Sequence, residues 1–248
     1  MKKKNVLKVS TSPHGTSKNR RRFLKLSGMA VLGSGLLMAC SDDDDAINTP
    51  DPGPDPQVFD LGAGDLGVLN YAYALEQLEA DFYTKVLNGA YWSGANEIEK
   101  VLLEDLYNHE VNHRELFSAA ISAAVGSDMM AKLPDLEFDY GNLNFDSRTE
   151  VLETAKTLED TGVSAYNGAG RLLSNPDFLV LAGKIVSVEA RHASAIRTLL
   201  NPGSADFAGD DIVDSVTGLD IARDPSEVIT ALGNTGFITT PFTANELP

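Results

Sequence analysis

Residues 75–192 carry one arrangement of side chains twice over. Leu75-Glu76 has Tyr83 seven residues on and is followed by Glu110-Val111-Asn112-His113; Leu158-Glu159 has Tyr166 seven on and is followed by Glu189-Ala190-Arg191-His192. Glutamate and histidine three apart share one face of an α-helix, so a carboxylate and an imidazole can converge on one point. Seven residues are nearly two turns, which puts each tyrosine on the face of the glutamate ahead of it. A single Glu-x-x-His is weak evidence of anything, but two of the three histidines beyond residue 39 stand at this offset.

The surrounding apolar pattern has helical spacing from about 65 to 200, and strand-like alternation is scarce. The first stretch runs from Asp65, a candidate N-cap, to Asn88-Gly89, with Leu69, Tyr73, Leu75, Leu78, Phe82, Val86 and Leu87 marking its apolar side. The second begins near Ser93–Asn96 and stops at Gly126, a good helix terminator. Residues 127–146, with Pro134 and Gly141, form a long link. Ser147-Arg148-Thr149-Glu150 then reads as a capping box that opens the third stretch, which continues to about Leu173. Asn175-Pro176-Asp177 starts the fourth and Asn201-Pro202-Gly203 ends it. Helix, short turn, helix, long crossover, helix, short turn, helix is the connectivity of an all-α four-helix bundle with one crossover. Residues 203–248 are turn-rich, with one short helix expected at Pro225–Leu232, and are expected to pack on the bundle over 61–202 as an extension.

Charge divides the chain sharply. Nine of the 20 basic residues and none of the 36 acidic ones lie in residues 1–39, leaving 11 basic residues against all 36 acidic ones beyond. So acidic a surface repels phosphate backbones, so no nucleic-acid partner is expected, while cation binding fits. The single cysteine, Cys40, excludes a disulfide framework and thiolate metal sites, so metal chemistry must rest on carboxylates and imidazoles.

The basic front ends in Leu26–Ala39, an uncharged apolar run too short to span a bilayer and of the length of a signal-peptide core. Before it, Asn19-Arg20-Arg21-Arg22-Phe23-Leu24-Lys25 resembles a twin-arginine export signal, with an ordinary Sec signal as the alternative. Leu37-Met38-Ala39-Cys40 resembles a lipobox, which implies cleavage after residue 39, a lipid on Cys40 and an anchored protein in the cell envelope. Four aspartates and a Pro-rich stretch follow, so residues 40–60 read as a solvated tether. Such acidic runs resemble surface-export signals of some outer-membrane lipoproteins; a plain spacer is the other reading.

The duplicated Glu and Glu-x-x-His pattern resembles the ferritin-like superfamily of carboxylate-bridged di-iron proteins. Within it, Leu75-Glu76-x-Leu78-Glu79-Ala80-x-Phe82-Tyr83 and Leu158-Glu159-Asp160-Thr161-Gly162 are similar to the desiccation-related ferritin-like proteins of bacteria and plants. The resemblance implies a ferritin-like bundle with Glu76, Glu110, His113, Glu159, Glu189 and His192 as ligands of two metal ions, iron first, with manganese or zinc as the other candidates. It leaves open whether Glu76 or Glu79 serves from the first helix; Glu79 otherwise stands beside the ligands or forms a salt bridge at the surface. It implies O2 or peroxide as the reactant, ferroxidase- or peroxidase-like chemistry, and a role in stress or desiccation tolerance. Tyr83 and Tyr166 are expected as core residues bonded to a ligand. The tether and the tail argue against a closed iron-storing cage, and the oligomeric state stays open. A non-enzymatic envelope protein with a vestigial or zinc-filled site is the alternative of a different class. A third reading comes from His109-Glu110-Val111-Asn112-His113, which matches the His-Glu-x-x-His helix of zinc peptidases. It leaves Glu189-x-x-His192 unexplained; under the ferritin-like reading His109 lies beside the ligands or at the surface.

Overall fold

The computed structural model describes residues 58–248. The stretch expected to be an export signal, Cys40 and nearly all of the stretch expected to be a tether lie outside the described residues. Four long helices form the body: α1 (Gly64–Asn88), α3 (Glu97–Val125), α4 (Arg148–Ala169) and α5 (Pro176–Leu200), with a five-residue helix α2 (Ala90–Gly94) inside the first turn. Helix α6 (Pro225–Thr235) stands in the C-terminal extension. The α1/α3 and α4/α5 hairpins are joined by the long link of residues 126–147, giving the all-α bundle with one crossover that the spacing predicts. None of the described helices is long and apolar enough to cross a membrane.

Side-chain caps fix the starts of α3, α4 and α5. Asn96 accepts from the backbone N–H of Ile98 and Glu99, and Asn175 accepts from Asp177 N–H, with Pro176 at the first helical position. Each such cap is worth about 1 kcal/mol. Two expectations need correcting. Asp65 is not a cap: the N-cap position is Ala63, and the Asp65 carboxylate instead accepts from Ser174 N–H and Asn175 N–H, at 2.6 and 3.0 Å, tying the start of α1 to the turn before α5. The capping box at Ser147 is only half formed. Ser147 accepts from Glu150 N–H, but the Glu150 carboxylate is taken by Asn144 N–H at 3.1 Å. A complete box forms at α6, between Asp224 and Glu227.

Helix α1 departs most from the expected picture. An amphipathic helix should show one wet side, yet α1 is buried without a break from Gly67 to Ala80. The link crosses its outer side and is clamped there. Asn70 donates to Leu61 C=O and Ala131 C=O and accepts from Leu133 N–H; Gln77 donates to Pro134 C=O and accepts from Leu136 N–H. Two buried amides thus satisfy the backbone of a segment that has no ladder of its own, as buried polar groups require. Tyr140 completes the cover, packing on Phe82, Phe145 and Phe237.

Residues of the extension pack on the bundle, and Val228, Leu232 and Leu247 join the core. Phe59–Asp60, at the end of the stretch read as tether, pair in parallel with Phe242–Thr243. Arg197 on α5, 3% exposed, binds Asp160 of α4 at 2.6 and 2.9 Å and Asp211 of the extension at 2.9 and 3.0 Å. That one guanidinium joins two helices and the tail.

Candidate metal centre

The bundle interior turns a carboxylate layer inward from four different helices. Glu76 comes from α1, Glu110 and His113 from α3, Glu159 from α4, and Glu189 and His192 from α5. All four glutamates are fully buried, and His192 is nearly so. Ligand atoms of Glu76, Glu110, His113 and Glu189 lie within 4.8 Å of one another, as do those of Glu110, Glu159, Glu189 and His192. Either group could hold a metal ion, and Glu110 and Glu189 belong to both. The cluster is therefore two four-ligand sets sharing a pair of carboxylates.

The two imidazoles face this shared pair through the same nitrogen. His113 Nδ1 lies 2.9 Å from Glu189, 3.3 Å from Glu110 and 3.4 Å from Glu76. His192 Nδ1 lies 2.7 Å from Glu110 and 3.3 Å from both Glu159 and Glu189. Close as they are, these atoms are poorly aligned with one another. Glu76 Oε2, Glu110 Oε1, Glu159 Oε2, both oxygens of Glu189 and His192 Nδ1 are buried without a hydrogen-bond partner. Lone pairs from several helices converge on common points rather than on donors. An unsatisfied buried polar group costs about 1–3 kcal/mol, more when charged, and a cation at the convergence point removes that cost.

Ionisation follows the crowding. Burial raises Glu159 to about 8 and lifts Glu76 well above the ordinary carboxylate range, with Glu110 and Glu189 adding repulsion. Burial acts the same way on Glu110, but the nearby imidazoles of His113 and His192 outweigh it through their charge and bring it down to about 2. His113 is pushed down by burial and held up more strongly by Glu110, Glu189 and Glu76, reaching about 12; His192 is raised likewise, mainly by Glu159 and Glu110 against its burial. Carboxylate oxygens with two neutral imidazoles form a donor set that suits iron or manganese and admits zinc.

Tyr83 and Tyr166 are buried at the cluster, each bonded to a glutamate, but not the one ahead of it in sequence. Tyr83 Oη donates to Glu159 Oε1 at 2.5 Å, and Tyr166 Oη donates to Glu76 Oε1. Burial lifts both phenols above their ordinary range, so both keep the proton they donate. Each brace occupies Oε1 and leaves Oε2 of the same glutamate facing the cluster without a hydrogen-bond partner.

Glu79 is in neither four-ligand group, so the structure places Glu76 there from α1. It is 2% exposed, and burial, with repulsion from the four other glutamates, raises its carboxyl well above the ordinary range. Gly162 stands opposite and leaves it room: a Cβ there would meet Glu79 Oε1 at 3.2 Å, a tight contact. His109 is also outside both groups; its side chain is exposed, and its Nδ1 lies 2.9 Å from His192 Nε2. The zinc-peptidase reading needs His109 and His113 on one ion, whereas only His113 reaches the cluster. Sequence reasoning missed the crossing of the tyrosines and the His109–His192 contact. Both join residues more than 75 positions apart, which no local spacing reports.

A four-helix bundle with one crossover and a buried glutamate–histidine layer defines a class of carboxylate-rich helical proteins. Residues 64–202 match the family model of the ferritin-like domain, and the chain belongs to that family. No curated protein matches it.

Proposed function

We propose that this is an exported, lipid-anchored ferritin-like protein whose buried cluster holds two metal ions, iron first, for Fe(II) oxidation or peroxide removal. The observation that carries the reading is the pair of overlapping four-ligand groups that share Glu110 and Glu189. Glu76 and His113 complete one position, and Glu159 and His192 complete the other. Divalent iron gives up one electron per ion, so a pair matches the two electrons that, with two protons, convert one hydrogen peroxide to two waters. The chain's own part is to hold the ions together, to orient the outer glutamates through Tyr83 and Tyr166, and to exclude water with the link and α1 packing.

Support for the export and anchoring part is the basic stretch at 18–25, the apolar run to Ala39 and Cys40 at its end. The similarity of the strings around Glu76 and Glu159 to desiccation-related proteins supports a role in stress tolerance. Elemental analysis of protein purified from its own host tests the metal reading. Two metals per chain are expected, falling to one or none in Glu189→Gln with His192→Ala. An intact bundle that carries no metal would overturn the reading in favour of a non-enzymatic envelope protein. Metabolic labelling with palmitate, lost in Cys40→Ser, tests the anchor.

A further inference from the structure

The two proposed cation positions are related by an approximate exchange of halves: Glu76 with Glu159, Glu110 with Glu189, His113 with His192, Tyr83 with Tyr166. One residue beside the cluster breaks the correspondence. His109 directly precedes Glu110, and its Nδ1 lies 2.9 Å from the outer nitrogen of His192, with the two rings within 7° of parallel. The residue that directly precedes Glu189 is Val188, which has no side-chain hydrogen-bonding group. Among the described residues, no hydrogen bond reaches the outer nitrogen of His113, whose side chain is 12% exposed against 4% for His192. The two imidazoles thus present the same atom inward but are held differently from outside.

We propose that His109 is a positioning residue that makes the cation position of Glu110, Glu159, Glu189 and His192 the tighter of two unequal positions. The inference rests on the two-cation reading. With Nδ1 of His192 as a lone-pair donor to the cation, Nε2 carries the proton and donates it to His109 Nδ1. That bond fixes the ring plane before the cation arrives and keeps the proton on Nε2 when the cation takes Nδ1. Partners of this kind are worth about 10- to 100-fold in metal affinity. The His113 position lacks one, so it fills second and exchanges first. Because α3 supplies His109 and α5 supplies His192, the bond also spans the open groove between those helices, lined by Leu102, Leu106 and Ala195.

The test is a titration of the intact, metal-stripped chain with Co(II) against a competing chelator. The wild type is expected to show two binding events separated about 10- to 100-fold. His109→Val, which copies the Val188 side, should weaken the tighter event by that factor and merge the two. His109→Gln, whose amide oxygen accepts a hydrogen bond, should restore the separation. In the Zn(II)-loaded protein, 15N-histidine NMR should show a slowly exchanging Nε2–H on His192 in the wild type and in His109→Gln only. Two unchanged events in a helical His109→Val protein overturn the inference, as does a wild type without the protected Nε2–H. A wild type that takes up no Co(II) overturns the two-cation reading, and this inference with it.

Discussion

At the scale of single residues, the phenols are the most consequential side chains beyond the ligands themselves. A hydrogen bond to a charged group is worth about 1.5–3 kcal/mol, and each phenol removed leaves a buried carboxylate oxygen without its donor. Tyr83→Phe and Tyr166→Phe should therefore each lower Co(II) affinity by roughly tenfold or more while the helical signal persists. Titration by absorption checks this, and affinities equal to the wild type would contradict the bracing role. Protons give a second prediction. At neutral pH the metal-free cluster keeps protons on His113, His192 and at least part of Glu159, and an arriving cation must displace them. Affinity should rise with pH through about 8, the value to which burial raises Glu159. Calorimetry in buffers of different ionisation enthalpy should show net proton release, and a heat independent of buffer would exclude it.

At the scale of elements, the helices and their ligand-bearing turns were legible because amphipathic spacing and caps are local properties. Asn96, Ser147 and Asn175 stand at helix starts where the sequence placed them, and Gly126 ends α3. Helix α1 was not legible in the same way. Nothing in the sequence singles out Asn70 and Gln77, yet they are the clamps that bury the outer side under the link. Polar residues whose partners are the backbone of a distant loop look the same in sequence as residues that face water. Asn70→Ala leaves Leu133 N–H and two carbonyls without a side-chain partner, at a cost of about 2–4 kcal/mol in denaturant unfolding. A loss below about 0.5 kcal/mol would mean that the link is held by its apolar contacts alone. The six residues singled out by their duplicated spacing do meet, whereas the crossing of the tyrosines required knowing which helices are neighbours.

At the scale of the whole molecule, ion pairs add ties between parts that already share one apolar core. Glu99 of α3 accepts from Arg148 at the start of α4 and from Tyr91 of α2. Arg148 holds Glu99 below its ordinary 4.5, so this contribution is present above that pH and fades as pH falls through the lowered value. Stability curves of wild type and Glu99→Gln should accordingly lie apart at pH 7 and converge on acidification; a constant gap would assign the effect to packing. Arg197→Met removes the guanidinium shared by Asp160 and Asp211 and should loosen residues 206–211 first, read as faster amide exchange there than in α4.

The reciprocal bonds of Tyr83 and Tyr166 carry one more consequence. Cut the chain within the link, and each fragment keeps a glutamate without its phenol and a phenol without its glutamate. Two identical copies of either fragment, facing each other about a dyad, would make good both deficits at once. A single polypeptide here achieves by covalent continuity the completeness that a short homodimer would reach by association, and continuity is also what permits a histidine in one half where the other has valine.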